Sequence, residues 1–206
     1  MASRWFWALV GLACLVALWA GYRLAGERYS QAAPPAYGAW LPRPRAVGDF
    51  HLIDSRDEPF ARANLTGHLS LVYFGYSRCA DECPDTLAML ARVQRLAALP
   101  ALQVLFVTID PRHDTPAVLA RYLRRFDPRF IGLTGAPDQI RALAGRLGVA
   151  LGRIDLPGGG RTFEHTVAVF LFDTRGREAA VFTPPFNARR LARALRRAAP
   201  HLLGSA

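Results

Sequence analysis

The sequence predicts a mixed α/β domain carried behind an N-terminal transmembrane helix. Three observations predict this class: an uncharged apolar stretch near the N-terminus, a proline-rich segment after it, and an alternation of short apolar runs with amphipathic runs in the remaining chain. The 206 residues are 51% hydrophobic and 20% charged, which is normal for a globular protein and excludes wholesale disorder. We therefore divide the chain into a membrane anchor (residues 1–26), a linker (27–45) and a working domain (46–206).

The predicted anchor is the stretch of residues 5–22, which carries no charge and lies between Arg4 and Arg23. As a helix it would be about 27 Å long, just enough for the hydrocarbon core of a bilayer. Tryptophans stand near both of its ends, where indole rings favour the membrane interface. A cleaved signal peptide and a lipid attached to Cys14 are the alternatives. The first lacks a clean small-residue cleavage site, and Cys14 lies in the middle of the apolar stretch.

The predicted linker, residues 27–45, holds four prolines and little hydrophobic periodicity. Proline at this density favours a semi-stiff, extended tether over a packed element. Such a tether would hold the working domain away from the membrane surface.

Within the working domain, apolar runs bounded by polar loops predict buried strands, and runs with helical spacing predict helices. The predicted order is strand 69–76, helix 84–99, strand 103–109, helix 116–126, strand 130–133 and helix 137–147. The strand–helix–strand order implies a parallel crossover. A hairpin of strands 166–172 and 178–182, followed by a helix capped by Asn187, then adds antiparallel strands at one side of a mixed sheet.

The net charge of +10 comes entirely from arginine, since no basic residue is lysine. Several arginines flank apolar helical positions near the C-terminus, which is the pattern of a solvated helix face. No DNA or RNA recognition motif accompanies the charge, so we expect no nucleic-acid partner. The basic surface would attract anionic lipid head groups or an acidic protein.

The main candidates for a functional site lie in the segment Cys79-Ala80-Asp81-Glu82-Cys83-Pro84, shortly after the first predicted buried strand. Pro84 predicts that the helix begins there, with Cys83 at its positive end, where a thiolate is stabilised. The acidic residues between the two cysteines make burial of the thiols unexpected. Two thiols at this spacing can close a disulfide or bind one metal ion.

The choice between metal and redox chemistry stays open on the residues alone. The spacing is one residue longer than the redox motif C-x-x-C, and nearby carboxylates oppose thiolate formation but favour a bound cation. Two soft thiolates suit Cu(I), and an added imidazole would also accept Cu(II). Zinc would normally take a fourth protein ligand.

Among the five histidines, His165 is the strongest candidate for that imidazole. It follows the glycine-rich residues 158–160 and immediately precedes the predicted strand 166–172, so a loop would deliver it at the mouth of a strand. His113 is the rival. The other three, which we expect to be surface or packing residues, are His51, His68 and His201.

The chain resembles the Sco/SenC family of membrane-anchored, thioredoxin-like copper proteins. The resemblance covers residues 47–186 and rests on four segments, which are YFGYSRCADECP (73–84), TIDPRHDTP (108–116), YL with FDPRFIGLTG (122–135) and EHT (164–166). Small departures are Ala80 in place of the common Pro, Glu82 in place of an apolar residue, and Glu164-His165-Thr166 in place of Asp-His-Ser. None of them removes a candidate ligand.

The resemblance implies that Cys79, Cys83 and His165 bind copper as Cu(I) and Cu(II). It also implies a single-pass protein of the bacterial inner membrane whose domain faces the periplasm. The implied function is that of a metallochaperone that delivers copper to the dinuclear site of cytochrome c oxidase subunit II. A periplasmic copper donor and a thiol reductant would be further partners.

The alternative function is that of a thiol-disulfide oxidoreductase that uses Cys79 and Cys83 to reduce the copper-ligand cysteines of that subunit. A peroxidase is a weaker third option, because related folds use a lone reactive cysteine. His165 separates the first two functions, since a reductase has no chemical use for an imidazole ligand.

Overall fold

The computed structural model describes residues 7, 11–21, 37–80, 82–155 and 161–203. The chain divides into two compact units, Met1–Pro34 and Pro35–Ala206. In the first unit, the described residues are helical. In the part of the chain that the structure describes, no helix has both the length and the hydropathy required to cross a membrane. Most of the flanks of the predicted anchor lie outside the described residues, so the anchor stays a prediction.

The second unit is built on one eight-stranded mixed sheet. Its strands are β1 (Ala39–Ala46), β2 (His51–Asp54), β3 (Pro59–Ala61), β4 (Leu69–Gly75), β5 (Leu102–Thr108), β6 (Ile131–Thr134), β9 (Val169–Phe172) and β10 (Arg177–Phe182). They lie in the order β1-β10-β9-β4-β5-β6-β2-β3 across the sheet. A separate antiparallel hairpin consists of β7 (Leu151–Asp155) and β8 (Arg161–His165). The helices are α1 (Glu82–Ala97), α2 (Pro116–Leu123), α3 (Pro137–Arg146) and α4 (Ala188–Leu203).

The centre of the sheet confirms the predicted parallel crossovers, because β4 pairs in parallel with β5, and β5 in parallel with β6. All seven residues of β4 are buried, as a strand covered on both faces requires. The helix starts also follow the local signals. The Thr115 hydroxyl accepts a hydrogen bond from the Val118 amide, and Asn187 Oδ1 accepts one from the Arg190 amide.

The predicted C-terminal hairpin is present as β9 and β10, and β9 also pairs antiparallel with β4. Its turn is set by Asp173, whose Oδ1 accepts hydrogen bonds from the amides of Arg175 and Arg177. Gly176 has a φ of +66°, which glycine adopts without strain. The first strand is shorter than predicted, since it begins at Val169 rather than at residue 166.

The linker prediction is wrong for residues 39–45, because they form most of strand β1. Among the described strands it has β10 as its single neighbour, so it lies at the edge of the sheet, where Pro42 and Pro44 remove no required ladder hydrogen bond. Aromatic contacts hold it in place: Tyr37 stacks on Phe182 with ring centroids 5.8 Å apart, and Trp40 meets Phe182 edge-on at 5.9 Å. Proline density alone did not distinguish an edge strand from a free tether.

Two buried apolar clusters lie on opposite faces of the sheet. Successive β4 side chains alternate between them: Tyr73 belongs to the cluster under α1, α2 and α4, and Phe74 to the cluster under α3. Cys79 packs against both clusters. The cysteine segment therefore lies where the two cores meet at the carboxyl end of β4.

Candidate metal centre

The two cysteines lie on either side of the junction between β4 and α1. Cys79 is in the connecting loop and is partly exposed, and its amide donates to the Tyr76 carbonyl at 3.2 Å. Cys83 is in the first turn of α1 and has no exposed surface. Both are free thiols, and Cys79 packs against the apolar cluster to which Cys83 belongs. The junction thus holds one accessible and one buried sulfur.

The burial of Cys83 contradicts the sequence expectation. The helix begins at Glu82, not at Pro84, and Pro84 is tolerated because an amide in the first turn needs no helical partner. Neighbouring positions on a helix point about 100° apart, so Glu82 faces solvent while Cys83 faces the sheet. Gly75 leaves room for this sulfur, since a Cβ there would lie 2.8 Å from Cys83 Sγ. Asp81 lies outside the described residues.

The ionisation of Cys83 also differs from the expectation of a stabilised thiolate. Burial raises the pKa of the Cys83 thiol to about 12, because water cannot solvate the anion. A hydrogen bond with the Tyr76 backbone lowers the pKa and the neighbouring Cys79 thiol raises it, but burial dominates. A cation that binds this sulfur must therefore displace its proton.

His165 is the last residue of β8, not a loop residue directly before a strand, so the predicted placement is corrected. The sequence does not predict the antiparallel pairing of β7 with β8, because the glycine-rich residues 158–160 favour a loop. Thr166 fastens the hairpin base, since its amide donates to the Ala150 carbonyl at 3.1 Å and its Oγ1 accepts from the Ala150 amide at 3.0 Å.

The imidazole of His165 approaches the buried sulfur. Its Nε2 lies 3.8 Å from Cys83 Sγ, and its Nδ1 lies 3.2 Å from the Thr166 carbonyl oxygen. Because a carbonyl oxygen only accepts, Nδ1 carries the hydrogen. In the neutral ring, Nε2 then presents its lone pair toward the sulfur, as a metal-ligating histidine requires.

The site opens onto a surface depression of about 640 Å³. It is lined by Cys79, Glu82, Phe163, Glu164, His165 and neighbouring residues of the β7–β8 hairpin. Phe163 packs edge-on against Tyr76 with ring centroids 5.3 Å apart, which joins the hairpin to the cysteine segment. Cys79 and His165 can therefore be reached from solvent, while Cys83 lies behind them.

Cys83 links the other two candidate ligands. In the described part of the chain, no group of three or more His, Cys, Asp or Glu side chains has the arrangement of a preformed metal site. Cys83 Sγ nevertheless lies 3.8 Å from His165 Nε2, and Cys79 packs against the apolar cluster that contains Cys83.

The rival histidine, His113, belongs to a different cluster. Its Nδ1 lies 3.0 Å from Asp114 Oδ1 and 3.5 Å from Ser77 Oγ. The buried Asp114 carboxylate also accepts hydrogen bonds from the Ser77 amide at 2.9 Å and the Thr108 hydroxyl at 2.6 Å. This cluster ties the loop before Cys79 to the end of β5. The histidines expected at the surface, His51, His68 and His201, are exposed.

Tyr73 is a site residue that the sequence reasoning missed. Its hydroxyl donates to Cys83 Sγ at 3.6 Å, and its ring lies edge-on to His165 with centroids 5.9 Å apart. The signal was available, because a phenol on an otherwise apolar strand face usually finds a polar partner. The identity of that partner depends on α1, which no local pattern reveals.

A scan against protein-family models matches residues 40–200 to the family described as SCO1/SenC. The chain belongs to the SCO1/SenC family. Its expected thioredoxin-like mixed α/β fold is confirmed by the similarity to solved Sco structures.

This SCO1/SenC domain is similar to a SCO2-like protein of Rickettsia felis, with 38% identity over 134 residues that cover 63% of this chain and 65% of the relative. The chain thus matches somewhat less than two thirds of that relative's length. Among solved structures it is similar to Bradyrhizobium japonicum ScoI with copper bound, at 30% identity and a TM-score of 0.68, covering 79% of this chain and 99% of that one. It is also similar to yeast Sco1 with copper bound, at 32% identity and a TM-score of 0.67, covering 74% and 87%.

Proposed function

We propose that this protein binds one copper ion through Cys79, Cys83 and His165 and delivers it to the dinuclear copper site of cytochrome c oxidase subunit II. The observation that carries the proposal is the approach of His165 Nε2 to Cys83 Sγ, 3.8 Å apart across the β8–α1 contact. Related Sco proteins from Bradyrhizobium japonicum and yeast have structures with copper bound. Two thiolates and an imidazole form a soft donor set that accepts both Cu(I) and Cu(II).

The three proposed ligands have different roles in loading and releasing the copper ion. The buried Cys83 sulfur gives a fixed inner ligand, and its proton must leave when the ion enters, so loading releases protons. Cys79 and His165 line the open depression, where a partner's ligands can replace them one at a time. Stepwise exchange at these two positions would transfer the ion without exposing it to water.

We place this activity at the bacterial inner membrane, with residues 1–26 as a single-pass anchor and the working domain in the periplasm. The uncharged residues 5–22 support the anchor, and the resemblance to a membrane-anchored family supports the location. A periplasmic copper donor would load the site, and a thiol reductant would keep its two sulfurs in the thiol form.

A second candidate function is reduction of a disulfide in the oxidase subunit. The observation in its favour is the pair of free thiols at the β4–α1 junction, where the partly exposed Cys79 packs against the cluster that contains the buried Cys83. The more exposed Cys79 would attack the partner disulfide as a thiolate, forming a mixed disulfide and releasing one partner thiol. Cys83 would then attack the Cys79 sulfur, releasing the second partner thiol and leaving a Cys79–Cys83 disulfide. This chemistry makes no use of the His165 imidazole.

An anaerobic Cu(I) titration of the reduced protein against a competing chelator tests the proposal. We expect one tightly bound ion per chain, and loss of tight binding in Cys83→Ser. Cys14→Ser is the matched control, because Cys14 is a third free thiol outside the site. Unchanged binding in Cys83→Ser would refute the metal site.

A further inference from the structure

Tyr73 contacts two of the three proposed ligands, Cys83 and His165. It is fully buried on β4, with its hydroxyl 3.6 Å from Cys83 Sγ and its ring edge-on to His165 at 5.9 Å. The ring also packs against Phe106 at 6.1 Å, so its orientation is set by the core. The hydroxyl and the ring therefore contact different ligands and can be tested separately.

The chemistry of the two groups fixes the direction of this hydrogen bond. The Tyr73 hydroxyl lies 3.6 Å from Cys83 Sγ and donates to it. A phenol has an ordinary pKa of about 10 and therefore carries its proton at neutral pH. A sulfur that binds a metal ion has no hydrogen and can only accept. The Tyr73 hydroxyl is thus the donor, and Cys83 Sγ is the acceptor.

Tyr122 provides the contrast within the same core. Its ring packs against Phe106 with centroids 5.8 Å apart, and the residue is 6% exposed. Among the described residues, its hydroxyl has no hydrogen-bond partner. The two buried phenols therefore differ in one respect that matters here: only the Tyr73 hydroxyl is directed at a proposed ligand.

We propose that Tyr73 is a positioning residue of the copper site, whose hydroxyl donates a hydrogen bond to the Cys83 sulfur and reduces the electron density that this sulfur gives to copper. The inference rests on the proposed copper binding. Hydrogen bonds to a cysteine ligand tune the redox potential of copper sites, and partners behind the ligands commonly change metal affinity. A sulfur that donates less favours Cu(I) over Cu(II), so the Tyr73–Cys83 hydrogen bond would bias the site toward the reduced ion.

Removal of the hydroxyl should shift this balance in a defined direction. In Tyr73→Phe the sulfur donates more strongly, which stabilises Cu(II) and moves the sulfur-to-Cu(II) charge-transfer band to longer wavelength. A hydrogen bond to a charged group contributes more free energy than one between neutral groups. We therefore expect about a tenfold rise in the ratio of Cu(II) to Cu(I) affinity. For a one-electron couple, this corresponds to a midpoint potential about 59 mV lower.

The experiment compares the wild type with Tyr73→Phe and the matched control Tyr122→Phe, all in the full chain. Each is loaded with Cu(II) for the absorption spectrum, titrated to obtain the Cu(II)/Cu(I) potential, and unfolded by heat. The expected result is a red-shifted band and a lower potential in Tyr73→Phe, with Tyr122→Phe matching the wild type. A purely structural role for Tyr73 would lower the melting temperature and leave the band and potential unchanged.

The outcomes distinguish failure of the proposed Tyr73 role from failure of the proposed copper binding. Normal copper binding in the wild type, with Tyr73→Phe indistinguishable from Tyr122→Phe in band and potential, overturns the role of Tyr73 and leaves the proposed function intact. Equal shifts in Tyr73→Phe and Tyr122→Phe also overturn it, because loss of any buried hydroxyl would then suffice. A wild type that binds no copper overturns the proposed function and this inference with it.

Discussion

Cys83 Sγ and His165 Nε2 lie 3.8 Å apart although 82 positions separate the two residues in the chain. The contact joins the first turn of α1 to the end of the β7–β8 hairpin, two elements with no local connection. Neither residue completes a soft-metal site alone. The contact places an imidazole nitrogen beside a cysteine sulfur. A simple dithiol reductant would not need this nitrogen.

The first prediction concerns His165→Ala. The residue is half-buried at a hairpin end, so the fold should persist with a stability loss of about 1 kcal/mol or less. Copper affinity should fall at least about tenfold, since even residues behind a ligand commonly contribute that much, and the loss should be greatest for Cu(II), which prefers nitrogen donors. Competition titrations in both oxidation states measure this. Normal affinity with full oxidase assembly in cells would favour the reductase function instead.

The second prediction concerns oxidation. Copper requires both sulfurs as thiolates, so closing the Cys79–Cys83 disulfide should abolish tight binding and reduction should restore it. The measurement is copper stoichiometry before and after treatment with a disulfide reductant. Cys14→Ser serves as the background, because it removes the third thiol and with it any other pairing. Equal affinity of the oxidised and reduced forms would exclude this pair as the site.

The third prediction concerns Gly75→Ala. The added Cβ would lie 2.8 Å from both Cys83 Sγ and Phe106 Cε2, so the sulfur or the ring must move. We expect a stability loss of about 1–3 kcal/mol and weaker copper binding, because overpacking displaces a ligand. The matched control is Gly145→Ala in α3, where a Cβ meets nothing within 4 Å and a helical alanine should be neutral or stabilising. Urea unfolding and copper titration of both variants measure the two effects. A Gly75→Ala protein as stable as the Gly145→Ala control would contradict the predicted overpacking.

The fourth prediction concerns acid stability. Hydrogen bonds and an ion pair from Arg129 hold the pKa of the buried Asp127 carboxyl below its ordinary value. A lowered folded-state pKa contributes stability that is present above the unfolded pKa of about 4 and is lost as pH falls through the folded pKa. The gap in unfolding free energy between wild type and Asp127→Asn should therefore shrink as pH drops from 6 toward 2. Parallel curves over that range would show that this carboxylate contributes no pH-dependent stability.

The fifth prediction concerns the membrane. If residues 5–22 are a retained anchor, the intact protein should stay in the bilayer after carbonate or high-salt washing, because apolar burial is not screened by salt. Residues 35–206, which form one compact unit, should be released into the supernatant. A mature N-terminus downstream of Trp19 would overturn the anchor, and a lipid on Cys14 would replace the spanning helix with an acyl attachment.

Much of the fold was predictable because it depends on sequence patterns of only a few neighbouring residues. The apolar runs of β4 and β5, the Thr115-Pro116 helix start and the Asp173–Gly176 turn each depend on a few neighbouring residues. The placement of the two cysteines at a junction between a strand and a helix follows in the same way. The family resemblance then supplied the thioredoxin-like arrangement of these elements.

The sequence by itself determined the order of the central strands and helices, and with the family resemblance it predicted three ligands for a soft-metal site. Only the tertiary structure decided their environment. Packing of α1 on the sheet buries Cys83 beside Tyr73 and raises the pKa of its thiol, pairing with β10 turns a proline-rich stretch into an edge strand, and a hairpin carries His165 to the sulfur. The physical reason is range: turns and caps are settled within a few residues, whereas burial, edge pairing and ligand approach depend on contacts between segments that are distant in the chain.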